Sequence, residues 1–341
     1  MQPIISEVRI DNQTVDYTTA TYKEQGGNTA STFTFTLYKK DASFRKYWNK
    51  EVLFFFHTSD AYPLFRGRII DTTFSEKSIT YIAVDALGFL TGHRKATVFL
   101  DDENNVDGLT VGAAIRKLIR LANLSDVIGT DLIGDTSPVF LSSKIRGEVV
   151  IYDIIKKMLS ETVDTSGEVP VENIIRVVDD GDKGQLIIET LSDTSIAPVV
   201  KHYSYDNNII NFTVQNRKIP TSITVNGKGI SATFRHQSAA SAFGENFITV
   251  SNSKLENKAE CMDFAQKIFE ANLKTRFEYV LDTYDGVYLN SNDVIHIKDE
   301  KTDTSGNFRI VGKTLQSDAT KFRLQLTINK RPPILAQFIR G

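Results

Sequence analysis

Chemistry in this chain would have to come from five histidines, one cysteine and a few acidic clusters. His57, His93, His202, His236 and His296 are scattered, and none sits in an HExxH or other paired-ligand spacing. Without cysteine partners they do not make a zinc site. His57 and His296 fall in matching strands, which is more simply a strand position than a ligand position. Asp101-Asp102-Glu103-Asn104-Asn105 and the run from Asp299 to Asp303 carry oxygen ligands that calcium favours. Neither has the twelve-residue loop closed by a glutamate, so both read as solvated turns. Cys261 lies on an expected buried helix face with no histidine near it in sequence, which does not make an activated thiolate. Asp179-Asp180 would serve a glycosidase only if the fold set another carboxylate across a cleft from it. No GxxxxGK[ST] loop, no GxGxxG between strand and helix, and no GxSxG elbow occurs; Asn226-Gly227-Lys228-Gly229 reads as a turn. The expected catalytic, cofactor-binding and metal residues are therefore none, and the chain is expected not to be an enzyme.

The elements around these residues are mainly strands. Thr32 to Tyr38 alternates Phe33, Phe35 and Leu37 with threonines, the period of a half-buried strand. Val52 to Phe56 is a continuous apolar run, and Phe65 to Phe74 and Ile79 to Val84 flank the polar turn Ser75 to Ser78. Ile4 to Ile10 and Thr14 to Thr21 flank a hairpin at Asp11 to Gln13. The last such block, Phe277 to Lys330, ends in Phe322, Leu324, Leu326 and Ile328 alternating with polar residues. Within it, Asp303 to Asn307 reads as a turn opening the strand Phe308 to Val311, and Ile295 and Ile297 share one face of another strand. Most of the 33 Phe and Tyr residues sit at alternating strand positions, where core packing is the blander reading and a sugar-binding surface the sharper one.

Two blocks share a layout. Val52 to Val84 and Val294 to Leu326 each run through an apolar strand, a polar turn, Phe-Arg opening a second strand, another turn and an alternating strand. Phe65-Arg66 matches Phe308-Arg309, and Ile79 to Ala83 matches Phe322 to Leu326 in pattern. This layout predicts a structural duplication.

The middle is mixed. Leu109 to Ala122 is an amphipathic helix with Arg116, Lys117 and Arg120 on a solvated face. Glu148 to Ser160 is a second helix; Asn173 to Val178 and Gln185 to Thr190 are strands. Asn208 to Gln215 and Ile219 to Asn226 are strands, and Ser231 to Gly244 is an exposed excursion. Asn257 to Leu273 is a third helix, with Asn257 and Glu260 as a capping box and Cys261, Phe264, Ala265 and Ile268 inward.

Composition bounds the partners. The formal net charge of −2 gives no basic footprint for nucleic acid. One cysteine allows no internal disulfide and fits assembly in a reducing compartment. No signal peptide is read at the start, and no apolar run approaches the ~20 residues that span a bilayer.

In its order of parts the chain resembles the baseplate hub proteins of contractile phage tails and related injection machines, the late-control-D and T4-type hub family. The matching stretches are Pro220 to Gly229 (PTSITVNGKG), Asn257 to Leu273, Tyr284 to Asp299 and Gly306 to Thr314. The resemblance implies a mainly β fold with an α+β insert: two tail-tube-like antiparallel β-barrels plus a small mixed module. The expected domains are a first barrel at 1–100, the insert at 101–200, a second barrel at 201–331 and a docking segment at 332–341. The family's role is structural. A homotrimer of two-barrel chains makes a ring of six similar barrels, adapting a six-fold tail tube to a three-fold central spike and lining the channel for genome passage. The implied partners are the tail tube or tube-initiator protein, the spike, wedge or other baseplate proteins, and DNA in transient passage without specific binding; no stable membrane association is implied. The implied place is the virion tail baseplate, after assembly in the host cytoplasm. The apolar stretch within 332–341 docks on another subunit or the spike, or else packs on its own domain. The alternative function is a cell-wall hydrolase or carbohydrate-binding tail component, which requires a deep pocket with converging carboxylates.

Overall fold

Alternating β-branched and aromatic residues make this chain mainly β, with 47% of the described residues in strands and 17% in helix. The computed structural model describes residues 6–26, 29–38, 47–91, 96–134, 145–161, 172–191, 194, 197–216, 218–252, 255–274, 277–318 and 321–329. His93 and the segment 332–341 lie outside the described residues.

The first seven strands are β1 (Glu7–Ile10), β2 (Gln13–Val15), β3 (Thr19–Gln25), β4 (Thr32–Tyr38), β5 (Glu51–Phe55), β6 (Phe65–Phe74) and β7 (Ser78–Val84). The expected hairpin after β1 has a two-residue loop, since Ile10 pairs with Gln13. Asp11 and Asn12 both adopt positive φ, 47° and 63°, as the primed hairpin turns require. The single strand expected over Thr14 to Thr21 is two strands with a break between them. Short pieces follow: α1 (Gly88–Thr91), β8 (Thr97–Leu100), α2 (Val111–Leu121), β9 (Gly147–Val150), α3 (Ile151–Glu161), β10 (Glu172–Asp179) and β11 (Gly184–Leu191). Residues 148–150, expected at the start of the second helix, are strand instead, because Val149 and Val150 pair with Val98 and Thr97. Arg116 is not simply solvated: its guanidinium donates to the Ile133 carbonyl at 2.8 Å.

The last third holds β12 (Val199–Ser204), β13 (Asn211–Asn216), β14 (Ser222–Asn226), β15 (Ser231–Arg235), α4 (Gln237–Phe243), β16 (Phe247–Ser251), α5 (Lys258–Lys274), β17 (Phe277–Thr283), β18 (Val294–Asp299), β19 (Thr304–Ser317) and β20 (Phe322–Asn329). The excursion expected over Ser231 to Gly244 is a strand and a helix, held because Ala232 and Phe234 pack on the core under α5. The turn expected at Asp303 to Asn307 lies earlier, since Asp299 already pairs with Thr304. At α5 the Asn257 side chain accepts from the Glu260 N–H at 2.9 Å, while Glu260 reaches back to the Glu256 N–H at 2.8 Å. Cys261, Phe264, Ala265 and Ile268 are buried on its inner face, as their spacing predicts.

The expected pair of closed barrels is corrected. One thirteen-stranded sheet runs β13-β17-β20-β19-β3-β4-β7-β6-β5-β1-β2, with β18 on β19 and β12 on β18, and it is not closed into a barrel. The reason is β19. Its first half pairs with β18 in its own block, and its second half pairs with β3 of the first block. That pairing leaves the two blocks joined rather than separately closed. The antiparallel rule also has exceptions, because β12·β18 and β14·β16 are parallel. One core underlies both blocks, running from Val8 to Ala83 and from Tyr203 to Ile328. Phe33 and Phe54 stack with centroids 4.8 Å apart, and Phe35 stacks on Tyr81 at 5.3 Å. Separate cores lie under α2 and α3 and under α5.

Candidate assembly interface

The repeat read from sequence is present in the hydrogen-bond register. In the first block Phe74 pairs with Ile79, Thr73 with Thr80, Thr72 with Tyr81 and Asp71 with Ile82. In the second, Ser317 pairs with Phe322, Gln316 with Arg323, Leu315 with Leu324 and Thr314 with Gln325. These are the partners that matching Ile79 to Phe322 requires. Each pair of strands carries a bulge beyond this stretch, directly after it between Ile69 and Asp71 in one and two pairs further on between Ile310 and Gly312 in the other. The first strand of each block is shifted one residue from the sequence match: Leu53 faces Arg66 where Val294 faces Arg309. The strand order is also repeated, β3-β4-β7-β6-β5 against β13-β17-β20-β19-β18.

The matched Phe-Arg pairs show what the repeat keeps and what it varies. Phe65 and Phe308 both enter the shared core. Arg66 ties the first block to the turn between β10 and β11, reaching Asp179, Glu51 at 3.0 Å and the Gly181 carbonyl at 2.6 Å. Arg309 instead donates to the Asn292 carbonyl.

At the joint, β19 meets β3 with Ser317 facing Ala20, Gln316 facing Thr21, Leu315 facing Tyr22, Thr314 facing Lys23 and Lys313 facing Glu24. The last pair is a buried ion pair at 2.9 Å, with side chains 2% and 12% exposed. Lys313 Nζ also donates to the carbonyls of Leu289 at 2.6 Å and Val287 at 3.2 Å. Glu24 accepts from the Ser291 N–H at 2.7 Å and from Tyr22 Oη at 3.0 Å. Burial pushes the Glu24 carboxyl up, but the Lys313 charge and the Ser291 hydrogen bonds outweigh it and hold it below the usual carboxylate range. A cavity of about 300 Å³ lies beside this pair, lined among others by Arg66, Asp85, Asp179 and Tyr288.

This cavity is where converging carboxylates would sit, and each of its carboxylates is committed. Glu24 is held by Lys313, and Asp179 by Arg66. Asp85 accepts from the Ser31 N–H at 2.8 Å and the Gly88 N–H at 3.1 Å. Burial nonetheless lifts Asp85 to about 6. Asp180, beside Asp179, accepts from Lys183 and Asp182 amides and from Gln185, which hold it down at about 2. Asp101 caps its own turn, accepting from the amides of Glu103 and Asn104. Asp299 Oδ2 accepts from the Thr302 hydroxyl at 2.6 Å. Among the described residues no group of three His, Cys, Asp or Glu side chains could hold a metal ion.

Strand pairing brings together two histidines that the sequence leaves apart. His202 faces His296 across β12·β18, with rings 5.4 Å apart. His296 Nδ1 lies 2.9 Å from Asn307 Oδ1. His57 sits in the turn after β5, its N–H donating to Asp60. His236 accepts the Ala239 N–H at the start of α4 and stacks on Phe269 at 4.4 Å. Cys261 is fully buried.

No family model and no curated protein matches the chain. Solved structures do. A tail protein from Neisseria meningitidis MC58 is similar over 96% of both chains at 14% identity, with a TM-score of 0.64. The 43 kDa tail protein of prophage MuSo2 from Shewanella oneidensis is similar over 98% of both at 7% identity, with a TM-score of 0.63. A type VI secretion component of E. coli, described as resembling the T4 tail proteins gp27 and gp5, is similar over 97% of this chain and 80% of its own at 13% identity, with a TM-score of 0.53. The fold is therefore that of phage tail proteins and of a type VI secretion component. The likeness to tail baseplate hubs read from the sequence holds at the level of the fold.

Proposed function

We propose that the chain is a structural, non-enzymatic part of a phage-type tail, the baseplate hub of a contractile tail. Three copies form a ring in which six similar blocks meet a six-fold tail tube on one side and a three-fold spike on the other. The observation that carries this reading is the repeated strand order and register within one chain. One chain presents two similar but non-identical blocks, which is what an adaptor between six-fold and three-fold symmetry needs. Similarity of fold to tail proteins over nearly the whole length supports it.

A channel lined by the same strands is part of this proposal. The sheet face turned from the core alternates with buried positions and carries Thr21, Thr34, Thr36, Thr80, Gln316 and Gln325. Its charges include the pair Arg323–Asp282 at 2.8 Å. We assign this polar face to the channel, where hydroxyls and amides let DNA pass without the counterion-releasing contacts of a DNA-binding protein. Tube or tube-initiator, spike, and wedge or other baseplate proteins are the proposed partners, and the virion tail, assembled in the host cytoplasm, is the proposed place. No stable membrane association is proposed; no described helix is long and apolar enough to cross a membrane. Blocks at 1–100 and 201–331 with an insert at 101–200 are the proposed division, and 332–341 is proposed to dock on another subunit or the spike. Deleting 332–341 should abolish spike attachment; unchanged attachment would overturn the docking.

The committed carboxylates of the joint cavity do not favour the hydrolase reading. The direct test is mass in solution. Trimers of the purified chain with no peptidoglycan cleavage support the hub, whereas a concentrated monomer that cleaves peptidoglycan overturns it.

A further inference from the structure

The internal joint is a template for a second one. β19 uses its 312–317 edge to bind β3. On its counterpart β6, residues 65–68 pair with β5, and no described strand pairs with the 71–74 edge opposite β7. The Thr72 N–H donates to the side chain of its neighbour Asp71 at 2.7 Å. The counterpart of β3 is β13, the end strand of the sheet, bound to β17 on one side and to no described strand on the other. An edge of this kind is normally covered. Both edges carry exposed apolar residues: Phe74 is 49% exposed, Ile210 47% and Val214 38%.

We propose that copies of this chain join head to tail, the 71–74 edge of β6 of one copy pairing antiparallel with β13 of the next in the register of the internal joint. This rests on the ring reading above and names its contact. The register follows from the repeat. Tyr81 pairs with Phe35, and Phe35 with Ala20; the matching Leu324 pairs with Thr283, whose neighbour Asp282 receives the Ile210 N–H at 2.9 Å and pairs with Asn211. Ala20, Thr21, Tyr22 and Lys23 thus correspond to Ile210, Asn211, Phe212 and Thr213. The internal pairs then translate to Phe74 facing Ile210, Thr73 facing Asn211, Thr72 facing Phe212 and Asp71 facing Thr213.

The two joints differ in chemistry. Where β3 carries Glu24, β13 carries Val214; where β19 carries Lys313, β6 carries Ile70 at its bulge. The joint inside the chain is locked by a buried ion pair, whereas the joint between copies carries the apolar residues Ile70 and Val214 in its place. Like strand edges therefore have unlike partners, which disfavours β6 pairing with the wrong edge. The contact uses two different surfaces, so it is heterologous and must close into a ring or grow.

The test is a disulfide. Directly opposed strand residues have Cα atoms about 4.5–5.5 Å apart, within the reach of a disulfide. Both Thr73 and Asn211 are exposed, so Thr73→Cys/Asn211→Cys leaves the fold intact. Mild oxidation with oxidised glutathione should give inter-chain cross-links in a ladder ending at three chains. Thr73→Cys/Thr213→Cys, two residues out of register, should cross-link at least tenfold less, and neither single variant should do so. In the unmodified chain, amide exchange at 71–74 and 211–214 should slow as concentration rises. Particles that are trimeric by mass but lack the 73–211 link, and show no added protection there, overturn this joint and leave the ring. A concentrated chain giving neither link nor oligomer overturns both.

Discussion

Replacing Lys313 with Met removes one half of the pair that locks the two blocks. The carboxylate of Glu24 then stays buried with its side chain 12% exposed, keeping only the hydrogen bonds from Ser291 and Tyr22. Breaking a buried pair from one side costs about 3–5 kcal/mol, a large part of the ~5–15 kcal/mol that holds a domain. Urea unfolding at pH 7 should show this loss as a lower midpoint. Glu24→Gln/Lys313→Met should recover most of it, because removing both charges leaves no uncompensated ion. The pH dependence has a definite sign. In the unmodified chain the Glu24 carboxyl is held low, so its contribution is present above the unfolded value and is lost as pH falls through the folded one. Without Lys313 burial is less opposed, the folded value rises, and acid relieves the variant. The gap between the two proteins therefore narrows from pH 7 to pH 4. A loss of under about 1 kcal/mol at pH 7, or a gap that does not narrow in acid, would refute the role given to this pair.

Three further outcomes are expected. Gly67→Ala would place a Cβ 2.2 Å from the Val84 carbonyl oxygen, and its thermal unfolding should show a loss of about 1–3 kcal/mol or more. Asp85, lifted to about 6 by burial, is protonated more readily folded than unfolded, so its contribution falls as pH rises from about 4 to 6. Against the unmodified chain, Asp85→Asn should therefore gain roughly 2–3 kcal/mol in urea unfolding between pH 4 and pH 7. Cys261, fully buried beneath α5, should react with a thiol reagent only as fast as the α5 region opens; prompt labelling of the native chain would contradict its placement.

Side-chain periodicity made much of the fold legible. The alternation in β4, β7 and β20 reports which face is buried, and the Phe-Arg motif put β6 and β19 in a correspondence that the ladders keep over four successive pairs. The joint itself was not legible. A period of two says which residues point inward, but not which strand edge meets which, and β19 meets β3 across most of the chain. Length hides the rest: the 14 residues of β19 allow it two partners on one edge, while the shorter apolar run Phe308 to Val311 suggested one. β9 and β15 were missed because four or five small or mixed residues carry little periodic signal. The sequence contains both Arg66 and Asp179, but only the packing of the β10–β11 turn on β6 makes them a pair.

Averaged electron-microscope images of the purified chain at high concentration test the central claim most directly. Closed particles of three chains, with six similar lobes around a central hole, are expected. Monomers without a ring, or open filaments in place of closed trimers, would contradict it.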